Sequence, residues 1–152
     1  MWAFATEVRC WGDTLSTSRG SMQPWTGWRH DAVMRQVFAH DAVLMMGPDE
    51  DERAPGAAIT VALCGSWEHE PPCPLAPHHT SSRRSGEQVQ LRVLFAAEPG
   101  TVAEVRACID QALTRGTIQS PSGAHATWRL QSSAASVPRS DEEDHGRRLL
   151  SS

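Results

Sequence analysis

The sequence predicts an α+β fold in which a small three-stranded sheet carries one or two helices. Three stretches alternate apolar and polar residues, an apolar stripe with helical spacing separates the last two, and a second helical pattern ends the chain. The order is strand, long loop, strand, helix, strand, helix, which is typical of α+β proteins. With 152 residues, the chain has room for one ordinary domain.

The N-terminal part differs in composition from the rest. All five methionines and four of the six tryptophans fall within residues 1–46, without strand alternation. We expect this part to be an extension without stable structure, apart from a short helix that apolar spacing predicts at residues 31–45. An acidic linker containing Pro and Gly follows at residues 47–57. Translation from Met45 or Met46 would therefore leave the predicted domain complete.

The predicted domain covers residues 58–152 and begins with a strand. Ile59, Val61 and Leu63 alternate with more polar or smaller residues, the period of a half-buried strand. Four prolines then end the strand, because proline donates no ladder hydrogen bond. A loop rich in Cys, His and Pro is expected at residues 68–86.

The remaining elements follow from clearer patterns. Alternation over residues 88–97 predicts the second strand. An apolar stripe with helical spacing begins after Thr101 and ends at Gly116, a residue suited to a helix C-terminus. Alternation over residues 126–131 predicts the third strand, and a short terminal helix ends near Leu150. A right-handed crossover places the second and third strands in parallel, with the first strand antiparallel to the second.

Composition argues against several classes of function. Net charge is -4, and between residues 57 and 139 seven arginines face six acidic residues, so a basic stripe for nucleic acid is missing. No apolar run approaches the eighteen residues of a membrane span, and the N-terminus lacks a signal-peptide core. We expect a cytoplasmic protein that binds neither nucleic acid nor membrane. Four scattered cysteines favour thiols or metal ligands over disulfides.

The chemically richest stretch runs from Cys64 to His79. Two cysteines, three histidines and two glutamates lie within its sixteen residues, and these are ligand types that zinc prefers. The stretch predicts a metal-binding module, with zinc as the expected ion, in a structural or regulatory role. The candidate ligands are His69, Cys73, His78 and His79, with Cys64, Glu68 and Glu70 as possible additional ones.

Other functions remain open, because the ligand spacing matches no standard zinc site. The histidines and cysteines could simply be packing residues, the expectation for Cys64 and Cys108. The domain would then be a metal-free interaction or self-association module, with Trp67 and Trp128 contacting a protein partner or a second copy. A metal- or Cys-dependent hydrolase is a weaker alternative, since neither the His-Glu-x-x-His pattern nor the zinc deaminase pattern occurs. The sequence favours a non-enzymatic function.

Overall fold

The protein is described by a computed structural model that covers residues 34–65 and 76–152. The α+β class predicted from the sequence is confirmed. Short 3-10 turns, Pro99–Thr101 and Ser140–Glu142, precede the last two helices. In chain order the elements are β1 (Gln36–Met45), α1 (Ala54–Cys64), β2 (His78–Ser85), β3 (Gln88–Ala97), α2 (Val102–Arg115), β4 (Thr117–Gln119), β5 (His125–Thr127), β6 (Arg129–Ser136) and α3 (Glu143–Leu150).

The main sheet has four antiparallel strands in the order β2-β3-β1-β6, and β4 and β5 form a separate hairpin. Each helical crossover skips a strand, so β1-α1-β2-β3-α2-β6 has the βαββαβ connectivity of ferredoxin-like folds. The prediction of three strands was therefore wrong in number. The second and third predicted strands correspond to β3 and β6, which run in the same direction, but β1 lies between them.

Strand β1 replaces the helix predicted at residues 31–45. It pairs with β3 from Gln36 opposite Ala97 to Met45 opposite Gln88, and with β6 on its other side. Both faces of β1 are covered over much of its length, so its apolar residues need not alternate with polar ones. Val37, His40 and Leu44 also fit one face of a helix, and this spacing favoured the helical interpretation. A chain that began at Met45 or Met46 would lack this central strand, while residues 1–33 lie outside the described part.

Helix α1 occupies the last four residues of the predicted linker and the whole of the first predicted strand. It is apolar on most sides, so no single stripe revealed its period, and Ile59, Thr60 and Val61 are residues that strands favour. Its limits were nevertheless marked in the sequence. Pro55 lies in the first turn, and Gly65 ends the helix in the left-handed conformation with φ 79°.

Strand β2 forms where the sequence predicted a loop. It pairs with β3 along its whole length, from His78 opposite Phe95 to Ser85 opposite Gln88. As an edge strand it carries few apolar residues, which removed the signal that alternation would have supplied. The β2–β3 hairpin closes through a two-residue loop in which Gly86 has φ 63°, a conformation typical of such tight turns.

The core lies between one face of the sheet and the helices α1 and α2. On the other face, α3 covers one end, where Gly146 lies directly against Val37. None of the described helices combines the length and the apolarity that crossing a membrane requires. The largest fully buried side chains include Phe95, Leu44, Ile59, Leu63, Ile109 and Leu113.

A matched pair of glycine substitutions tests the packing at the end of α2. Gly116 has φ 69°, and a Cβ there would lie 2.6 Å from the carbonyl oxygen of Trp128. Gly86 has a similar φ of 63°, but its Cβ would meet nothing within 4 Å. We expect Gly86→Ala to lower the free energy of unfolding by about 1 kcal/mol and Gly116→Ala by more than about 2 kcal/mol. Equal losses in urea denaturation would contradict the close approach at Gly116.

Truncation tests the central position of β1. A variant that starts at Met46 loses the strand that pairs with both β3 and β6, so we expect it to lack cooperative thermal unfolding. Near-ultraviolet circular dichroism of the variant and the full chain measures this directly. A truncated chain with a native-like spectrum and transition would show that β1 is dispensable.

Candidate functional site

The adjacent histidines of the predicted metal site lie on opposite faces of the sheet, because successive residues of a strand alternate. His78 faces α1, with Nε2 3.0 Å from Thr60 Oγ1 and Nδ1 3.9 Å from Cys64 Sγ. His79 stacks on His145 of α3, with ring centroids 4.4 Å apart. The sheet therefore separates these two side chains, and they cannot share one ion.

The predicted metal-binding function is contradicted by the arrangement of the ligand types. Across residues 34–65 and 76–152, no group of three or more His, Cys, Asp or Glu side chains is arranged to hold a metal ion. The structure brings Cys64 and His78 together and separates both from His79. The other candidates, His69, Cys73, Glu68 and Glu70, lie outside the described residues.

The two described cysteines differ in state. Cys64 is a buried thiol at the end of α1, as expected for a packing residue. Cys108 lies fully buried on α2 and is disulfide-bonded, where the sequence favoured a thiol.

Trp128, predicted to contact a partner, belongs to the core. Only 7% of its surface is exposed, and its indole Nε1 donates a hydrogen bond to the carbonyl oxygen of Leu113 at 2.9 Å. The ring thus fastens the start of β6 to the end of α2. Trp67, the other predicted contact residue, lies outside the described part.

A polar cluster centred on His40 is the main feature that the sequence analysis missed. His40 is 2% exposed, the only buried polar or charged side chain identified in the described part of the chain. It lies on β1, facing α2, and it contacts Arg106 and Asp110 of α2 and Ser133 of β6. These four side chains, His40, Arg106, Asp110 and Ser133, are called the His40 cluster below.

The chemistry of the donors sets the direction of each hydrogen bond in the His40 cluster. A guanidinium can only donate, so Arg106 Nη1 donates to Nδ1 of His40 at 3.0 Å. Nε2 then carries the ring proton and donates to Ser133 Oγ at 2.6 Å. The Ser133 hydroxyl in turn donates to Asp110 Oδ1 at 2.5 Å. This series of hydrogen bonds therefore runs from α2 through β1 and β6 and back to α2.

This arrangement does not suit nucleophilic catalysis. In a Ser-His-Asp triad the serine donates to histidine, and a carboxylate at the other ring nitrogen stabilises the imidazolium. Here Ser133 donates to Asp110, and a guanidinium faces Nδ1 of His40. Burial lowers the pKa of His40, and the Arg106 charge lowers it further against the opposing effect of Asp110. The cluster is thus a structural link between α2, β1 and β6.

A signal for the His40 cluster did exist in the sequence. Phe38, His40, Ala42 and Leu44 follow one another at a spacing of two, which places all four on one face of a strand. Three apolar neighbours on that face indicate a core position for the histidine. The helical interpretation of residues 31–45 hid this pattern, because His40 also fitted a helical face.

On the opposite face of the sheet, Arg92 of β3 holds several elements together. Its guanidinium donates to the Glu142 carboxylate through Nε and through Nη2 at 2.7 Å, and to Asp41 Oδ1 at 2.8 Å. It also donates to Ser136 Oγ at 3.2 Å and to the carbonyl oxygen of Val137 at 2.9 Å. This bonding with Arg92 lowers the pKa of Glu142 to about 2. The start of α3 is thereby fixed to the sheet.

The two edge strands carry different charges. Along β2 lie His78, His79, Arg83 and Arg84, whereas Leu130–Ser136 in β6 contains no charged residue. Val137, which follows β6 directly, is 78% exposed. An edge strand offers unpaired backbone groups, and charged side chains on it disfavour pairing with another chain. By this criterion β6 is the edge strand that is less protected against pairing with another chain.

No protein-family model, no curated protein and no solved structure matches this chain. The βαββαβ connectivity and the geometry of the edge strands and clusters are therefore the observations from which its function can be inferred.

The Glu142–Arg92 pair is expected to stabilise the fold in a pH-dependent way. The pKa of Glu142 falls from its ordinary value of 4.5 to about 2, so the stabilisation is present above pH 4.5 and is lost as pH falls to 2. We expect Glu142→Gln to lower the free energy of unfolding by about 1–3 kcal/mol at pH 7 and by much less at pH 2.

Asp144→Asn is the matched control for this prediction. Asp144 pairs with Arg147 at 2.6 Å, but both side chains are largely exposed, so we expect a loss below about 0.5 kcal/mol at pH 7. Urea denaturation at the two pH values measures both variants. A Glu142→Gln effect that is equally large at pH 2 would be inconsistent with loss of the ion pair.

Proposed function

We propose that this domain is a self-association module in which β6 pairs with β6 of a second copy. The observation that carries the proposal is the uncharged edge formed by Leu130–Ser136. Antiparallel pairing across a two-fold axis would join two four-stranded sheets into one continuous sheet. Strand addition of this kind uses main-chain hydrogen bonds for affinity and side chains for specificity.

The outer side of β6 is suited to strand pairing over most of its length. One irregularity, the register shift between Val43 and Leu44 of β1, lies near the start of β6. From Ser132 to Ser136 the strand pairs regularly with β1, so its outer backbone groups are evenly spaced for another strand. Small side chains, serine and alanine, fill this regular segment and leave room for a neighbour.

The sequence of β6 favours a second copy as the neighbour. Antiparallel pairing about a two-fold axis keeps every side chain on its own face of the sheet, so the axis must pass through a residue and its copy. A register centred on Ala134 puts Ala134 opposite Ala134 and Ser133 opposite Ala135 of the second copy, and it brings Val137 next to Gln131. Val137 is 78% exposed in the single chain, and this pairing would cover it. A two-fold contact uses the same surface on both chains, and a segment of small side chains centred on Ala134 meets that requirement.

The contact would be weak, because one pair of strands buries less surface than the roughly 1,200–2,000 Å² of a standard stable interface. We therefore expect a dimer that forms and dissociates with concentration.

Sedimentation over a concentration series tests the proposal. Ala134 is exposed on β6, and Ala134→Lys would set two lysines next to each other across the two-fold axis, so we expect the dimer dissociation constant to rise at least about tenfold. Ser81→Lys is the matched control. Ser81 is exposed and lies on the same face in the same cross-strand row, but on the other edge strand, and we expect no change in association.

The proposal makes a clear statement about the unmodified chain. Wild-type protein that stays monomeric up to millimolar concentration would overturn it. Equal weakening by Ala134→Lys and Ser81→Lys would also overturn it, since the effect would then come from charge and not from the β6 edge.

A further inference from the structure

We infer that His40 controls the β6 edge, so that its protonation uncouples β6 from α2 and weakens pairing with a second copy. This inference rests on the proposed self-association and adds its regulation. The carrying observation is geometric: the buried ring bridges Arg106 of α2 and Ser133 of the edge strand. A titratable group in that position connects solution pH to the strand that pairs.

The groups around His40 come from three elements. Helix α2 contributes Arg106, whose Nη1 is 3.0 Å from Nδ1, and Asp110, whose Oδ1 is 3.4 Å from Nε2. Strand β6 contributes the Ser133 hydroxyl. In β1 itself, the neighbouring Asp41 carboxylate accepts from Arg92 on the opposite face of the sheet. The residues directly across the sheet, Val93 and Ala135, do not titrate.

The contacts around His40 suit a neutral imidazole ring. Arg106 can donate to His40 only while Nδ1 is unprotonated, and an imidazolium there would set donor against donor and cation against cation. Asp110 favours the cation, but its side chain is half-exposed and it already accepts from Ser133. Burial has the largest effect and keeps the pKa of His40 below its ordinary value of 6.5.

Protonation would disturb more than one contact of Arg106. The same Nη1 also donates to the carbonyl oxygen of Ala39 at 2.7 Å, and the guanidinium lies over the Phe95 ring at 5.3 Å. If the guanidinium moves away from Nδ1, its bond to the Ala39 carbonyl in β1 is disturbed as well. The ring is bonded to Ser133 through Nε2, so its own displacement would transmit the change to β6.

The direction of the pH effect follows from the lowered pKa. A histidine whose folded pKa lies below 6.5 stabilises the folded arrangement fully above pH 6.5, and this contribution is lost as pH falls through the folded value. We therefore expect a well-attached β6 at pH 7.5 and a loosened β6 once the pH falls below the folded pKa of His40.

The test combines sedimentation with amide hydrogen exchange of residues 129–136 over a pH series from 7.5 down to about 4.5. For the wild type, we expect the dimer dissociation constant to rise at least about fivefold across the series. We also expect β6 amides to exchange at least about fivefold faster, after correction for the intrinsic pH dependence of exchange. His40→Gln keeps a donor and an acceptor without titrating, so both pH steps, in the dissociation constant and in the exchange of β6 amides, should disappear.

Two further variants make the test specific. His79→Gln removes a histidine of the opposite face, stacked on His145, and should keep both pH steps. Ser133→Ala leaves His40 able to titrate but cuts its bond to β6, so the exchange step at β6 should be lost. This variant also decides the question if His40→Gln does not fold.

Each outcome separates the inference from the proposed function. A dimer with the same dissociation constant and the same β6 exchange throughout the pH series would overturn the inference, as would pH steps that persist in His40→Gln. A chain that is monomeric throughout the series would overturn self-association. In that case the exchange step at β6 would still decide whether His40 controls the strand.

Discussion

The fold depends on β1 as the strand shared by every layer of the domain. It pairs with β3 on one side and with β6 on the other, so no continuous sheet exists without it. Two consecutive residues of β1 also serve opposite faces. His40 meets Arg106 beneath α2, and Asp41 accepts from Arg92 on the face that α3 partly covers. A single strand thereby connects the sheet, the helices, the His40 cluster and the hydrogen bonds of Arg92.

The same alternation that joins the two faces through β1 separates the predicted metal ligands in β2. His78 and His79 are neighbours in the sequence, and in a loop both could have turned toward one ion. In a strand they point to opposite sides, toward α1 and α3 respectively. The assignment of β2 as a strand therefore matters for the function as well as for the fold. The spacing of two ligand residues in the sequence predicts a shared metal site only when the backbone conformation between them is known.

Elements with one polar face were predictable from sequence, and elements without one were not. Helix α2 has a clear apolar stripe ended by Gly116, and β3 alternates over its first half, so both were found almost to the residue. Strand β1 and helix α1 are covered on most sides, which removes the periodic contrast that identifies helices and strands. Edge strand β2 failed for the opposite reason, since polar residues lie on both of its faces. The His40 cluster depended on the assignment of β1 and was missed with it.

The His40 cluster and the hydrogen bonds of Arg92 hold β6 from opposite faces and at different points along its length. His40 holds Ser133 from the side of α2, and Arg92 holds Ser136 from the side of α3. A strand fixed in this way loses little conformational freedom when another strand joins it, which favours association through a small contact area. The attachments also differ in their response to pH. The bond network of Arg92 and Glu142 persists until pH approaches 2, whereas burial lowers the pKa of His40 below 6.5. Acid that protonates His40 while Glu142 stays ionised would therefore loosen the middle of β6 while its end remains attached, so the edge would be switched without unfolding of the domain.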